Sequence, residues 1–402
     1  MPQSIFFSAG EPSGDLHAAA LIGELARRHP ELECRGFGGP KMLQAGMQQD
    51  FDLTTLAVVG FVEVVPKLRE FFRLKAVARE ILRENHFDAV VLVDFPGFNW
   101  HIAAEASRAG IPVIYYLPPQ LWAWGQRRIK KVRRHVDFVI SALPVEHDYY
   151  TSRGVRSEFV GHPFFDHVAA DRLDQEWIAS STAKRSKRIA VLPGSRSGEL
   201  RHLWPLQLEV IRRVHAMHPE VVFDVACLRE QHADQCRRVL QDAGDSRLPV
   251  AIHCGRTSEV LEASQCVLMK SGSTSLEVMA RGKPAVVMYH VSRSTHFIVR
   301  RLTNLRFMSL PNIIAGREIQ PEFLAVGNSH DVVDGVASEL CRLIGSPAQR
   351  DKQREALADV YRQCGGPGAT GRAAAAIGDA LGWSASGGTT VDAASAAGLR
   401  AA

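Results

Sequence analysis

Short, uninterrupted apolar runs recur along this chain, each closed by a turn of glycine, proline or small polar residues and followed by a stretch of helix length. A strand that is apolar at every position must be covered on both faces, which is the condition of parallel strands clothed by helices. The first run, Ser4 to Ser8, opens into Ala9-Gly10-Glu11-Pro12-Ser13-Gly14-Asp15 and then a helical pattern from Leu16 to Arg28. Phe87 to Asp94, Ile111 to Leu117 and Val136 to Leu143 repeat the rhythm. A charged, weakly apolar segment from Asp171 to Lys187 interrupts it. The alternation resumes at Arg188 to Leu192, Val221 to Cys227, Pro249 to Cys254, Gln265 to Met269 and Pro284 to Tyr289.

The pattern predicts an α/β protein with two doubly wound, Rossmann-like domains. With 402 residues, 46% of them apolar, the chain exceeds one core and suits two domains of roughly 170 to 200 residues. The boundaries are expected at 1–170 and 188–365, with a C-terminal helix over 366–383. The tail 384–402, dominated by small residues, is expected to be disordered. Open sheets bind ligands beyond the carboxyl ends of their strands, so the active site is expected in the cleft between the two domains.

Composition narrows the function classes. No run approaches the roughly 18 apolar residues that cross a bilayer, and the N-terminus has no signal-like segment, so a cytosolic protein is expected. The seven cysteines (34, 227, 236, 254, 266, 341 and 364) are scattered and lack a CxxC pair. They read as reduced thiols and signal neither a disulfide framework nor a zinc site. A net charge of +5 suits anionic small molecules or an anionic membrane better than sequence-reading of nucleic acid.

Several turns carry candidate chemistry. Glu11, Ser13, Asp15 and His17 lie in or just after the first turn; a helix cap would use the same residue types. Asp94-Phe95-Pro96-Gly97-Phe98-Asn99 closes another strand and places a carboxylate where it could take a proton from a hydroxyl. A buried Asp bonded to backbone N–H groups is the structural alternative. Trp122-Ala123-Trp124-Gly125-Gln126-Arg127-Arg128 leads into Lys130, Lys131, Arg133 and Arg134. Guanidinium groups there could hold a sugar phosphate, although most of such a run is expected to be a solvated helix face.

In the second half, Pro193-Gly194-Ser195-Arg196 offers backbone N–H groups, a hydroxyl and a guanidinium, a diphosphate cradle without a Walker lysine. Lys270-Ser271-Gly272-Ser273-Thr274-Ser275-Leu276-Glu277 is a second such turn, in which Thr274 and Glu277 also fit a capping box. Two cradles on one domain argue for a nucleotide diphosphate. No His, Cys or Asp cluster has metal-ligand spacing, so no metal is expected and fixed dipoles and cations must stabilise the leaving group.

The segment Val64 to Lys75 carries two apolar stripes at roughly 100° per residue, Val65, Leu68 and Phe72 on one and Leu74, Ala78 and Ile81 on the other. One stripe can face a core. With Phe71 and the interleaved Lys67, Arg69, Arg73 and Lys75, the other suits acyl chains or an anionic bilayer, and a fully buried helix is the alternative.

In order and spacing, Gly10 to Asp15, Trp122-Ala123-Trp124, Gly161-His162-Pro163, Leu192 to Arg196, Ser271-Gly272-Ser273-Thr274 and Ser309-Leu310-Pro311-Asn312 resemble the lipid-A-disaccharide synthase family over roughly residues 4 to 380. The resemblance implies a GT-B fold, two Rossmann-like domains facing a central cleft. It implies inverting transfer of 2,3-diacylglucosamine from UDP to the 6-hydroxyl of 2,3-diacylglucosamine 1-phosphate (lipid X) in lipopolysaccharide biosynthesis. It places Gly194, Ser195, Arg196, Ser271, Gly272, Ser273, Thr274, Ser275, Glu277 and Asn312 at UDP. On the acceptor side it places Asp88, Asp94 and the Gly10 to Asp15 loop with Ser13 and Asp15, and Asn99, Gln126, Arg127 and Arg128 are further acceptor-side candidates.

The resemblance further implies no cofactor, peripheral contact with anionic lipids on the inner face of the cytoplasmic membrane, and in some members a homodimer with exchanged C-terminal segments. One position departs from the pattern. Many members read Asp-x-Pro-Asp-Phe-Asn, and the second Asp, a favoured base, is Gly97 here. Asp94 is then the expected base, with Glu11 as the other candidate. The rival readings are a different GT-B enzyme of UDP-N-acetylglucosamine and a catalytically silent lipid or nucleotide-sugar binding protein.

Overall fold

The computed structural model describes residues 3–57, 64–183, 187–245, 247–302, 306–327 and 330–383. The expected disordered tail, 384–402, lies outside them. The chain divides into two units, Met1–Asp166 with Cys364 onward, and His167–Gln363.

The first unit begins β1 (Ser4–Ala9), α1 (Pro12–Arg28), β2 (Glu33–Gly38), α2 (Pro40–Gln44), β3 (Gln48–Asp52), α3 (Thr54–Ala57) and α4 (Val64–Glu84). It continues β4 (Ala89–Val93), α5 (Pro96–Ala109), β5 (Val113–Tyr116), a 3-10 turn (Gln126–Arg128), α6 (Ile129–His135), β6 (Phe138–Ser141), α7 (Pro144–Thr151) and β7 (Ser157–Phe159). The chain passes to the second unit within α8 (Phe164–Ala170). There follow α9 (Gln175–Thr182), β8 (Lys187–Leu192), α10 (Ser197–Met217), β9 (Val221–Cys227), α11 (Glu230–Asp242), β10 (Val250–Cys254), α12 (Thr257–Ala263) and β11 (Cys266–Met269). The second unit ends with α13 (Thr274–Ala280), β12 (Ala285–Val291), α14 (Arg293–Leu302), α15 (Leu310–Ala315), β13 (Glu322–Val326), α16 (Val332–Gly345) and α17 (Pro347–Gln363). The closing helix, α18 (Ala369–Leu381), returns to the first unit.

Both sheets are parallel throughout, ordered β3-β2-β1-β4-β5-β6-β7 and β10-β9-β8-β11-β12-β13. The α/β, doubly wound fold class is as expected. In each sheet the order of connection reverses once, between β1 and β4 and between β8 and β11, and such reversals open a crevice at the carboxyl edge. Alternation along a strand feeds two cores. In β4, Val90 and Leu92 join the core on one face of the sheet, while Val91 and Val93 join the core on the other.

The domain limits differ from those expected. The segment 171–187 carries α9, which lies on the second sheet through Trp177, and residues from Cys364 belong with the first unit. The alanine-rich face of α18 packs with α1 on the first sheet, giving Ala373, Ala374, Ile377 and Ala380 to that core. Asp166 fixes the start of α18 by accepting from the N–H groups of Gly368, Ala369 and Thr370 and from the Thr370 hydroxyl. Four strands escaped the sequence reading: β2, β3, β7 and β13. Of these, β3 and β7 are sheet edges, short or polar, and β2 carries two glycines, so none of the three presents a continuous apolar run; β13, also an edge, has one, Phe323 to Val326, which the sequence reading passed over.

Beneath α9 the second sheet holds a buried polar triad. Arg188 makes a two-point pair with Asp224 at 2.7 Å, and His253 Nε2 lies 2.9 Å from the same carboxylate. Trp177 meets the His253 ring edge-on at 5.2 Å, covering the triad with an apolar face. Among the described residues no helix is long and apolar enough to cross a membrane.

Candidate active site

At the first reversal, the turn after β1 meets the turn after β4. Asp94 and Phe95 both adopt left-handed backbone, with φ of 47° and 46°, a conformation that costs non-glycine residues roughly 1–2 kcal/mol each. The compensation is visible. Asn99, wholly buried, donates from Nδ2 to the carbonyls of Asp94 (2.8 Å), Ser8 (3.2 Å) and Val93 (3.3 Å). Its Oδ1 accepts from the Ser8 hydroxyl at 2.7 Å, and the Tyr115 hydroxyl adds a second donor to the Asp94 carbonyl at 2.8 Å. Phe95 in turn dictates Gly10: a Cβ there would fall 2.1 Å from its ring.

This scaffold leaves the Asp94 carboxyl half-buried at the sheet edge. Burial, helped by the neighbouring Glu11 carboxylate, pushes it up to about 6. Glu11 occupies the N-cap position of α1 with extended backbone, yet its side chain makes no capping bond. Ser13 is exposed on the same turn. Gly97 is also exposed, and a Cβ built on it meets no atom within 4 Å.

The other acceptor-side candidates are held in different ways. Asp15 is buried and accepts from the N–H groups of Gly39 (2.9 Å), Met42 (3.0 Å) and Lys41 (3.1 Å), capping α2. Asp88 lies before β4, at the amino edge of the sheet, where it accepts from the Ser4 N–H at 2.8 Å. Asn99 is the clamp just described. Gln126 and Arg127 are exposed on the 3-10 turn, and Arg128 lies 4.7 Å over the half-exposed Trp124 ring.

Glu146 was not anticipated. It is buried in the first turn of α7, accepts from the Ala142 and Leu143 N–H groups at 3.2 Å, and is pushed up by burial to about 7. Its only sequence signal is its position two residues after Pro144, which marks a helix start rather than a site.

In α4, Leu74, Ala78 and Ile81 form the inward stripe as expected, and Phe72 is exposed by two-thirds of its surface (67%). Phe71 turns inward, packing its ring 5.6 Å from Phe98, which corrects its place among the outward contacts. The side chains of Val65 and Leu68 lie outside the described residues.

At the second reversal, the turn Gly194–Arg196 after β8 adjoins Lys270–Ser273 after β11. Gly194 has φ of 124°, and a Cβ there would meet the Glu199 carboxylate at 2.9 Å. Ser195 N–H points at that carboxylate, and Arg196 extends into solvent at the N-terminus of α10. Ser273 is exposed, whereas Ser271 donates to the Met308 carbonyl and Ser275 to that of Gly272.

The capping box is absent: Ser273 holds the N-cap of α13, Thr274 begins it, and no side-chain capping bond forms. Glu277 Oε1 instead accepts from the Ser258 hydroxyl and Arg281. Asn312 makes internal bonds with both ends of its side chain. It is buried, accepts from Ile319 and Gln320 N–H groups, and donates to the Gln320 carbonyl and Glu322. Together with Glu322, which accepts from the N–H groups of Met308 and Ser309, it shapes the loop under Ser271.

A cavity of about 820 Å³ opens beside these turns, lined by Glu199, His202, Lys270, Tyr289, His290 and Arg293 among others. His202 and His290 stack with ring centroids 4.9 Å apart, and Lys270 lies 5.4 Å over the Tyr289 ring. Sequence reasoning named only Lys270, in the turn after β11; the other five come from α10, β12 and α14 and share no local pattern. Among the described residues no group of three or more His, Cys, Asp or Glu is arranged to hold a metal ion.

Residues 5–364 match the family model described as lipid-A-disaccharide synthetase. The lipid-A-disaccharide synthase of Anaeromyxobacter dehalogenans (strain 2CP-C) is 36% identical over 374 residues, covering 93% of this chain and 96% of that protein. That of Geobacter sulfurreducens is 34% identical over 379 residues, covering 94% and 97%.

Among solved structures, the UDP-GlcNAc 2-epimerase from Neisseria meningitidis superposes with a TM-score of 0.61 at 13% identity, covering 93% of this chain and 97% of that one. The calicheamicin glycosyltransferase CalG4 gives 0.60 at 16%, covering 95% and 98%. These likenesses establish the GT-B fold. With the family match spanning nearly the whole of both sheets and both sets of edge turns, the chain belongs to the lipid-A-disaccharide synthase family.

Proposed function

We propose that this protein is a glycosyltransferase that moves 2,3-diacylglucosamine from UDP to the 6-hydroxyl of lipid X, yielding the lipid A disaccharide 1-phosphate and UDP. The observation that carries the chemistry is Asp94, a half-buried carboxyl raised to about 6 on a rigid turn at the carboxyl edge. Such a group is ionised at neutral pH yet more basic than an ordinary carboxylate, which suits a general base. In one displacement the acceptor hydroxyl gives its proton to Asp94, the new oxygen–anomeric carbon bond forms, and UDP departs with the bonding pair. Glu11 supports Asp94 by its charge.

The departing diphosphate is held by the Gly194–Arg196 turn, where Ser195 N–H, Arg196 and the N-terminus of α10 converge. Gly272 and Ser273 supply the facing wall, Ser271, Thr274 and Ser275 shape it, and Glu277 presents its second carboxyl oxygen to the nucleotide. No metal or cofactor takes part. Ser13, Gln126, Arg127 and Arg128 meet the acceptor. Phe72, flanked by the exposed Arg69 and Arg73, contacts anionic lipid, so the enzyme works peripherally on the inner face of the cytoplasmic membrane.

The test is to incubate purified protein with UDP-diacylglucosamine and lipid X, with and without chelator, and to detect disaccharide 1-phosphate by mass spectrometry. Chelator-resistant product is expected. Measurable UDP binding without product would mean a silent binding protein.

A further inference from the structure

Glu199 occupies the position that an anionic ligand of the Gly194–Arg196 turn would take. One of its oxygens, Oε2, lies 3.3 Å from the Ser195 N–H. The other, Oε1, lies 3.0 Å from Lys270 Nζ and 3.4 Å from Arg196. A backbone donor, an ammonium and a guanidinium therefore converge on a single carboxylate at the start of a 21-residue helix. These are the groups that recognise a phosphate, gathered from two strand-ends that sit side by side at the reversal of the sheet. The Lys270–Glu199 pair is well covered, with side chains 15% and 20% exposed, so neither partner is neutralised cheaply by water.

We propose that Glu199 is an internal stand-in for the donor diphosphate, which must displace it, and that the released Lys270 then becomes a diphosphate ligand. The inference rests on the reading of this turn as the UDP site. Two anions cannot share three donors at hydrogen-bond distance, so UDP enters only as the carboxylate leaves. When the site is empty, Glu199 offsets the mutual repulsion of Lys270 and Arg196 and keeps the turn in its binding shape. The same exchange weakens the hold on UDP after transfer, since the carboxylate competes for the vacated donors. A plain helix-capping role would leave UDP affinity indifferent to the charge of residue 199, because glutamine still accepts from the Ser195 N–H.

The experiment is calorimetric titration of the full chain with UDP and with uridine, for wild type, Glu199→Gln, Lys270→Met and the double variant. Glu199→Gln is expected to tighten UDP by about tenfold and to leave uridine unchanged, while Lys270→Met weakens UDP; with Lys270 absent, the gain from Glu199→Gln shrinks. Unchanged or weaker UDP binding by a folded Glu199→Gln overturns the proposal. A crystal structure of the wild type with UDP is decisive if that variant does not fold: a Lys270–Glu199 contact still at 3.0 Å overturns the exchange, and a broken one supports it. Wild type that binds no UDP sinks the functional reading itself, whereas wild type that binds UDP without the exchange sinks only this inference.

Discussion

The Asn99 side-chain amide donates to the Asp94 carbonyl at 2.8 Å and is itself held by the Ser8 hydroxyl at 2.7 Å. The proposed base is thus positioned through its own backbone, clamped to the strand beside it. Replacing Asn99 with Ala leaves buried polar groups of Ser8, Val93 and Asp94 with one donor or acceptor fewer, at a cost of about 1–3 kcal/mol. Asn99→Ala should therefore lower both Tm and kcat while hardly changing the KM for lipid X, as steady-state kinetics beside a thermal melt would show.

Asp94→Asn should reduce transfer by roughly 10²–10⁴-fold with UDP affinity intact. In the wild type, kcat/KM should fall as pH drops through about 6, because protonation there removes the base. Glu11→Gln takes away a like charge and should move this acid limb to lower pH, though burial of Asp94 keeps it above the ordinary carboxylate value. An unmoved limb would exclude Glu11 from the electrostatics of the site.

Gly97→Asp installs the carboxylate that the family resemblance leads one to expect at this position. The position is exposed, and its Cβ would meet no atom within 4 Å, so the unfolding free energy should change by no more than about 0.5 kcal/mol. A third carboxylate near Asp94 should push the acid limb of kcat/KM to higher pH. A large loss of stability would contradict the open environment of residue 97.

Asp224 anchors the triad with Arg188 and His253. Burial alone would raise it, but the hydrogen bonds from His253 and Arg188 outweigh burial and hold it below the ordinary range. Its contribution to stability is therefore complete above the unfolded-state value and is lost as pH falls through the lower folded value. Asp224→Ala strands a buried guanidinium, at about 3–5 kcal/mol. Hydrogen exchange along β9 and β10 should accelerate accordingly, with the first unit unaffected.

Phe72→Ser removes an exposed aromatic ring without disturbing a core. Binding to vesicles of anionic phospholipid should weaken by about tenfold or more, with Tm preserved, as a sedimentation assay would measure. Unchanged sedimentation of the folded variant would dismiss α4 as the lipid contact.

Central strands such as β4 and β11 were legible because both faces are buried and every position is apolar. Edge strands β3 and β7 were not, since half of each may be polar. The site was legible to the same extent: strand-end turns announce themselves by their glycines and prolines. What individual residues do there was hidden, because it depends on partners far along the chain. Asp15 and Asp94 look alike as carboxylates beside a turn, yet Asp15 is consumed by N–H groups more than twenty positions on, while Asp94 remains available. Lys270 gained significance only from Glu199, a neighbour across the sheet reversal.

The return of α18 to the first unit, sealed by Asp166, has a consequence for biosynthesis. The face of α1 that α18 covers stays uncovered while the ribosome makes the intervening second unit, roughly two hundred residues and about 10–40 s at usual elongation rates. During that interval the core that holds Leu21, Ile22 and Leu25 lacks Ala373, Ala374, Ile377 and Ala380. The nascent chain is then a client for holdase chaperones, and a stop codon shortly before Gly368 would release a protein with its second unit complete and its first unit unsealed.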